Sequence, residues 1–241
     1  MRYKCITVYD GTNFHGFQAQ NDLRTVQDEI EKVLIIILKH KVRINPAGRT
    51  DTGVHAYGQV FHFDTNIVMK EENMRNAINS RLPRDIYIKK VEIVDEAFHS
   101  RYSALSKIYH YIIDFGEYDP IHQNYRYYYK YRVDIDKIID AASIFVGEHD
   151  FKSFTKNHHL DNTIRTIYSI DFEIKEKLMT IKFHGNGFLH NMVRIIVAML
   201  LEVGRGRLTK DDLIEILNAK NRKLAPKLAP PSGLYLMEVR Y

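Results

Sequence analysis

The sequence predicts an α+β protein, with antiparallel sheets backed by helices, from three observations. Apolar residues alternate in some segments and recur at helical spacing in others. The two kinds of segment do not follow the strict strand and helix alternation of a doubly wound parallel sheet. The chain has 241 residues, 45% of them hydrophobic, enough for one large core or two smaller ones.

Tyr3 to Tyr9 is rich in β-favouring residues and stops at Asp10-Gly11, which reads as a strand and a turn. Thr25 followed by Asp28 resembles a capping box. Val26, Ile30, Val33, Leu34, Ile37 and Leu38 then recur at helical spacing, so a helix is expected to run to Lys39-His40-Lys41. Val42 to Asn45 reads as a short strand entering a loop at Gly48, and Tyr57 to Phe63 as the strand leaving it. Glu71 to Arg81 is expected to be a helix, stopped by Leu82-Pro83-Arg84-Asp85, and Ile86 to Val94 a strand.

Farther on, Lys107 to Phe115 reads as a strand. Asp134 is expected to cap a helix carrying Ile135, Ile138, Ile139, Ala142, Phe145 and Val146. Strands follow at Thr166 to Lys175 and Leu178 to His184. Phe188 to Val203 is apolar on most faces, which predicts a buried helix closed by Gly204-Arg205-Gly206-Arg207. Thr209 starts another helix, and Leu234 to Tyr241 closes the chain as a strand. This repeated style predicts two ferredoxin-like domains, residues 1–103 and 104–241. No residue-level repeat links the halves, so the division rests on topology and length.

Lys+Arg 35 against Asp+Glu 30 gives a net charge of +5, and the pI is near 9.0. That modest excess suits a polyanionic partner and equally an ordinary slightly basic surface. One cysteine, Cys5, leaves no disulfide framework and no Cys-based zinc site, which points to a reducing cytoplasm. The N-terminus lacks the apolar core of a signal peptide. The longest apolar runs, Val33 to Leu38 and Ile195 to Leu201, fall short of the roughly 18 residues of a membrane span.

Three segments carry candidate chemistry. In Gly48-Arg49-Thr50-Asp51-Thr52-Gly53-Val54-His55, one carboxylate lies between two glycines beside a fixed positive charge, which makes Asp51 the candidate nucleophile. A solvated Asx turn is the plainer reading of the same residues. Along Arg101 to Tyr111 tyrosines interleave with cations, and nine of the 16 tyrosines fall between Tyr102 and Tyr131, beside Arg126, Lys130 and Arg132. Aromatic faces next to cations suit stacked bases and phosphates, although tyrosines also simply cover sheets. Finally, Phe183 to Arg194 is a glycine-rich turn opening the apolar helix, with Arg194 expected about two turns inside. A guanidinium there needs an anion, and Asp51 is the best unplaced partner. Another acid, or a side chain reaching solvent, would serve as well.

Other chemistries lack their motifs. No phosphate-binding Gly-x-x-x-x-Gly-Lys sequence occurs, and Gly185-x-Gly187 lacks the remainder of a dinucleotide site. The 12 histidines form no His-Glu-x-x-His or His-x-His pattern, and adjacent His158-His159 lack an evident third ligand, so no metal is expected. No serine sits in a Gly-x-Ser-x-Gly elbow.

Tyr9-Asp10-Gly11-Thr12, Gly16-Phe17-Gln18, Arg24-Thr25-Val26-Gln27, the Gly48 to His55 loop, Lys107-x-Tyr109-x-Tyr111, Gly187-Phe188-Leu189 through Met192-Val193-Arg194, and Gly233-Leu234-Tyr235-Leu236 occur in that order. Together they resemble the tRNA pseudouridine synthase A family across nearly the whole chain. The resemblance implies a homodimeric, cofactor-free isomerase that converts uridine to pseudouridine at tRNA positions 38, 39 and 40, in the anticodon arm. It assigns the nucleophile to Asp51, the tyrosine against the target base to Tyr109, the ion-pair arginine to Arg194, and the arginine that helps turn the nucleotide out to Arg49. Gly16-Phe17-Gln18 departs from the family's frequent tryptophan.

Flipping a nucleotide from a stem costs roughly a few kcal/mol. Arg24, Arg49, Lys107, Arg126, Lys130 and Arg205 are expected to hold the displaced tRNA backbone. Two readings from other classes remain at this point. A noncatalytic RNA-binding module would not need Asp51, and a metal-dependent nuclease would need clustered acids and histidines that the sequence lacks.

Overall fold

Alternating burial along Arg2–Tyr9 makes β1 a one-faced strand, with Tyr3, Cys5, Thr7 and Tyr9 turned into the core. The computed structural model describes all of residues 1–241 except His158. It divides into two compact units, Met1–Leu105 with Tyr235–Tyr241, and Ser106–Leu234. The protein is α+β: ten strands and five α-helices occur among the described residues.

In the first unit, β1 pairs antiparallel with both β3 (His55–Asp64) and β4 (Ile86–Val94), and β2 (Asn45–Pro46) pairs antiparallel with β3. The last strand, β10 (Leu234–Arg240), joins β3 in parallel through Tyr235↔His55 and Leu236↔Ala56. Helix α1 (Val26–Leu38) begins where Thr25 accepts the Asp28 N–H, as its cap pattern predicts, and ends at Lys39 in a left-handed conformation. Helix α2 (Glu71–Asn79) stops two residues earlier than expected. Its last side chain, Asn79, turns instead to β4, donating to Ile88 O at 2.9 Å and accepting from Ile88 N at 2.8 Å. The strand expected at Val42 to Asn45 shrinks to β2, because the Ile44 N–H is taken by Glu31 Oε1 at 2.9 Å rather than by a ladder.

In the second unit, β5 (Ser106–Asp114), β9 (Leu178–Gly185), β8 (Ile164–Lys175) and β7 (Gly147–Asp150) lie side by side in that order, antiparallel throughout. The two-residue β6 (Tyr127–Tyr128) adds to β5 in parallel. Neither β6 nor β7 carries an apolar alternation that the sequence could announce. Helix α3 (Ile135–Ala142) is capped by Asp134. Phe145, expected inside it, falls in a following 3₁₀ turn, and Val146 is already extended.

Helix α4 (Met192–Gly204) is buried on nearly every face, and α5 (Lys210–Ala219) starts from a full capping box at Thr209. Helix α4 begins four residues later than its apolar run suggests, because Asn191 takes a left-handed conformation at φ 62°. Arg194 is therefore in the first helical turn, not two turns inside. No described helix is long and apolar enough to cross a membrane.

Candidate active site

Asp51 lies on the loop between β2 and β3, and the loop is tied down along its length. Ala47 N donates to Val60 O at 2.7 Å, and the Gln59 side chain donates to Gly48 O at 2.9 Å. A second loop, running from Gly11 toward α1, presses on it from the other side. Phe17 N donates to Thr50 O at 3.1 Å, and Gly53 N to Phe14 O at 3.3 Å. Phe14 and Phe17 are fully buried beneath this contact. Gly16 has φ 86°, and a Cβ there would meet Thr50 O at 2.9 Å, so only glycine permits the close approach.

The residue before Asp51 is gripped from the sheet. Tyr9 Oη and Thr50 Oγ1 are 2.8 Å apart in a buried contact. Burial pushes the Tyr9 phenol up to about 12, so it stays neutral and able to donate. At the far end His55 opens β3, its Nδ1 accepting the Gly11 N–H at 3.1 Å and lying 3.2 Å from Asp10 Oδ1. The His55 ring stacks on Tyr235, with centroids 4.7 Å apart. Asp51 is half-buried within this frame, while Arg49 and Thr52 on either side are exposed. The loop is thus fastened at Ala47, Gly48, Thr50, Gly53 and His55.

Arg24 joins the same frame. Its guanidinium forms a two-pronged pair with Asp85 at 2.7 and 2.9 Å and lies 4.2 Å from the Phe14 ring centre. Cys5 is fully buried, and desolvation drives its thiol well above the usual range, which removes it as a nucleophile.

The second unit carries the other candidates. Tyr109 on β5 is buried and meets Phe188 edge-on, ring centres 5.2 Å apart. Phe188 belongs to the turn between β9 and α4, the turn that also sets Arg194. Arg194 Nε donates to Ala229 O at 2.8 Å. A cation in the first turn of a helix opposes the helix dipole, so an anion beside Arg194 would offset that cost.

Lys107 pairs across from Gly185 on the same sheet. Arg126 is held by Asp114 at 2.9 Å. Lys130 and Arg205 converge on Tyr131, 5.4 and 3.8 Å from its ring centre. Within the first unit Arg49 and Arg24 belong to the same two loops as Asp51; within the second, Tyr109 meets the Phe188 turn that sets Arg194, and Lys130 and Arg205 meet at Tyr131. The bracing roles of Tyr9, His55 and Tyr235 are not legible in sequence, because each partner is remote along the chain. Among the described residues, no three His, Cys, Asp or Glu side chains form a metal-ligating group; His158 of the His158-His159 pair lies outside the described residues.

The profile of a family described as tRNA pseudouridine synthase matches residues 6–103 and 141–241. The chain belongs to the tRNA pseudouridine synthase family. Curated relatives named tRNA pseudouridine synthase A align along its whole length. The protein from Geobacillus sp. (strain WCH70) is 46% identical, covering 100% of this chain and 98% of that protein. The protein from Listeria monocytogenes serotype 4b (strain CLIP80459) is 46% identical, with 100% and 99% covered. That from Pseudothermotoga lettingae is 45% identical, with the same coverage. As a member of the tRNA pseudouridine synthase family, the chain is an isomerase acting on tRNA, turning uridine into pseudouridine. The binding-module and nuclease readings fall away at this point.

Proposed function

We propose that the chain modifies uridines 38, 39 and 40 of the tRNA anticodon arm, with Asp51 as the nucleophile. The observation that carries this reading is the bracing of the Asp51 loop between β1, β3 and the Gly11 loop. Thr50 and the backbone of the loop are fastened there, and the half-buried Asp51 is carried between them.

The reaction breaks the N-glycosidic bond, turns the uracil, and rejoins it to C1′ through C5. The detached base must be retained meanwhile, and covalent capture does this by splitting one hard step into easier ones. Attack of the ionised carboxylate at ribose C1′ expels the uracil anion, which turns and attacks C1′ through C5, so that the C5–C1′ bond forms as the bond from C1′ to the carboxylate breaks. Attack at C6 instead ties the carboxylate to the ring; the glycosidic bond breaks within that adduct, C5 joins C1′, and loss of the C5 proton then expels the carboxylate from C6 and restores the C5–C6 double bond. Either route ends with loss of the C5 proton to a base, and Tyr109, stacked on the uracil, is in our reading the group that helps move it.

Arg194 pairs with Asp51 in this reading and orients it. Arg49, exposed beside Asp51, helps turn the nucleotide out. Arg24, Lys107, Arg126, Lys130 and Arg205 hold the backbone, Arg24 and Arg126 in exchange with their carboxylate partners. The active form is a homodimer of chains with two ferredoxin-like domains, Asp51 and Tyr109 facing a shared cleft, and it works in the cytoplasm without a cofactor. The element order β1-α1-β2-β3-α2-β4 with β4-β1-β3-β2 as sheet order supports the ferredoxin-like reading of the first domain. The test is to treat unmodified tRNA transcripts with the purified protein and map pseudouridine nucleotide by nucleotide. Modification at 38, 39 or 40 is expected, and modification confined to another arm would overturn the assignment.

A further inference from the structure

Lys152, Lys220, Asn221, Arg222, Lys223 and Pro226 line a pocket of about 440 Å³ on the second unit, where the end of α5 meets the 3₁₀ turn Phe151–Phe154. Residues 220–227 hold four cations, Lys220, Arg222, Lys223 and Lys227, and no acid. Asp150 reaches the cluster but is already engaged. It pairs with Lys220 at 3.1 Å and accepts from Thr163 Oγ1 at 2.5 Å and from Lys152 N at 3.1 Å. The plainest alternative is a solvated set of lysines favoured by the negative end of the α5 dipole. That accounts for Lys220 at the helix end but not for Lys152, Lys223 or Lys227.

Arg222 is the informative member. Its guanidinium curls back onto its own loop, donating to Ala225 O and Lys227 O, and its buried Nε makes no hydrogen bond among the described residues. An unsatisfied buried donor is costly, so this guanidinium is under-used where it stands, and a bound anion would relieve the mutual repulsion of the cations around it. The pocket is also linked to the site. Ala229 is six positions beyond Lys223, so the two lie within about 20 Å, and Ala229 accepts from Arg194 Nε at 2.8 Å. On the other flank, Lys156 N donates to His190 O at 3.3 Å, in the turn before α4.

We propose that this pocket binds backbone phosphates of the tRNA, as an anchoring surface separate from the cations already assigned. The inference rests on the tRNA reading above. The test uses the whole protein carrying Lys152→Gln with Lys223→Gln, both exposed lysines outside the catalytic machinery, and measures tRNA affinity across a salt series. Each lost phosphate contact removes about 0.9 from the slope of log affinity against log salt, so a slope shallower by about two and roughly tenfold weaker binding are expected. The turnover rate at saturating tRNA should be unchanged. An unaltered slope and affinity would overturn the proposal. Inorganic phosphate alone is titrated calorimetrically as a second arm. Heat that disappears in the variant while the tRNA slope stays put assigns the pocket to a small anion and likewise overturns it. A slope change in a protein that modifies no uridine supports the pocket while sinking the assigned reaction.

Discussion

Tyr9 Oη lies 2.8 Å from Thr50 Oγ1, a buried contact between strand β1 and the residue beside Asp51. The bond fixes the backbone that presents the carboxylate, so its loss should loosen the loop before it harms the fold. Tyr9→Phe is expected to cost about 1 kcal/mol in a urea melt. It should lower kcat more than it raises KM, because it disturbs positioning rather than RNA binding. A Tyr9→Phe protein with the wild-type kcat would detach this brace from catalysis.

Gly11 passes so close to the same loop that a Cβ there would meet Val54 O at 2.1 Å, against backbone that has no side chain to swing away. Gly11→Ala must therefore displace one of the two loops. A loss of roughly 1–3 kcal/mol is expected, the range of overpacked interiors, together with a fall in activity larger than the loss of folded protein accounts for. Thermal melts beside kinetics on the folded fraction check both parts.

His62 supplies the pH dependence. It is buried on β3, where its Nδ1 meets the Ser100 hydroxyl at 2.5 Å. Burial first, then the nearby charges of Arg2 and His99, pull its pKa down to about 4. In the unfolded chain it titrates near 6.5. Between those values the unfolded state binds the extra proton, so the contribution of His62 to stability is complete above pH 6.5 and is lost as pH falls toward 4. His62→Asn should flatten that part of the pH profile of unfolding free energy. An equal slope in both proteins would remove His62 as its source.

Lys130 stands over Tyr131, 5.4 Å from the ring centre. As a single phosphate contact it should contribute about one to the salt slope of tRNA binding. Lys130→Gln is expected to lower the slope by that amount with kcat at saturation unchanged. Filter binding over a salt series measures it, and an unchanged slope takes Lys130 off the RNA surface.

The helix starts at Thr25, Asp134 and Thr209 were legible because a cap is local: the side-chain acceptor and the N–H it satisfies are three residues apart. The α+β class followed from periodicity that survives in β1, β4 and β9. What sequence concealed was either polar or remote. Strand β7 is Gly-Glu-His-Asp, with no apolar rhythm to read. The late start of α4 depends on one left-handed Asn191 inside an apolar run. The grip of Tyr9 on Thr50 spans 41 residues, and that of Arg24 on Asp85 spans 61. The Gly48 to His55 segment alone does not tell a nucleophile from a turn. Its place among motifs in family order is what the proposed nucleophile rests on, and the braced loop supports that proposal by holding the segment in one place.

The most direct test of the proposed nucleophile is tritium release from tRNA labelled at uridine C5, by the wild-type protein and by Asp51→Asn, with tRNA binding measured on both. Asparagine keeps the size of the side chain and removes the charge that attacks. The account predicts steady release by the wild type and none by Asp51→Asn at comparable tRNA affinity. Release by Asp51→Asn at the wild-type rate would contradict it.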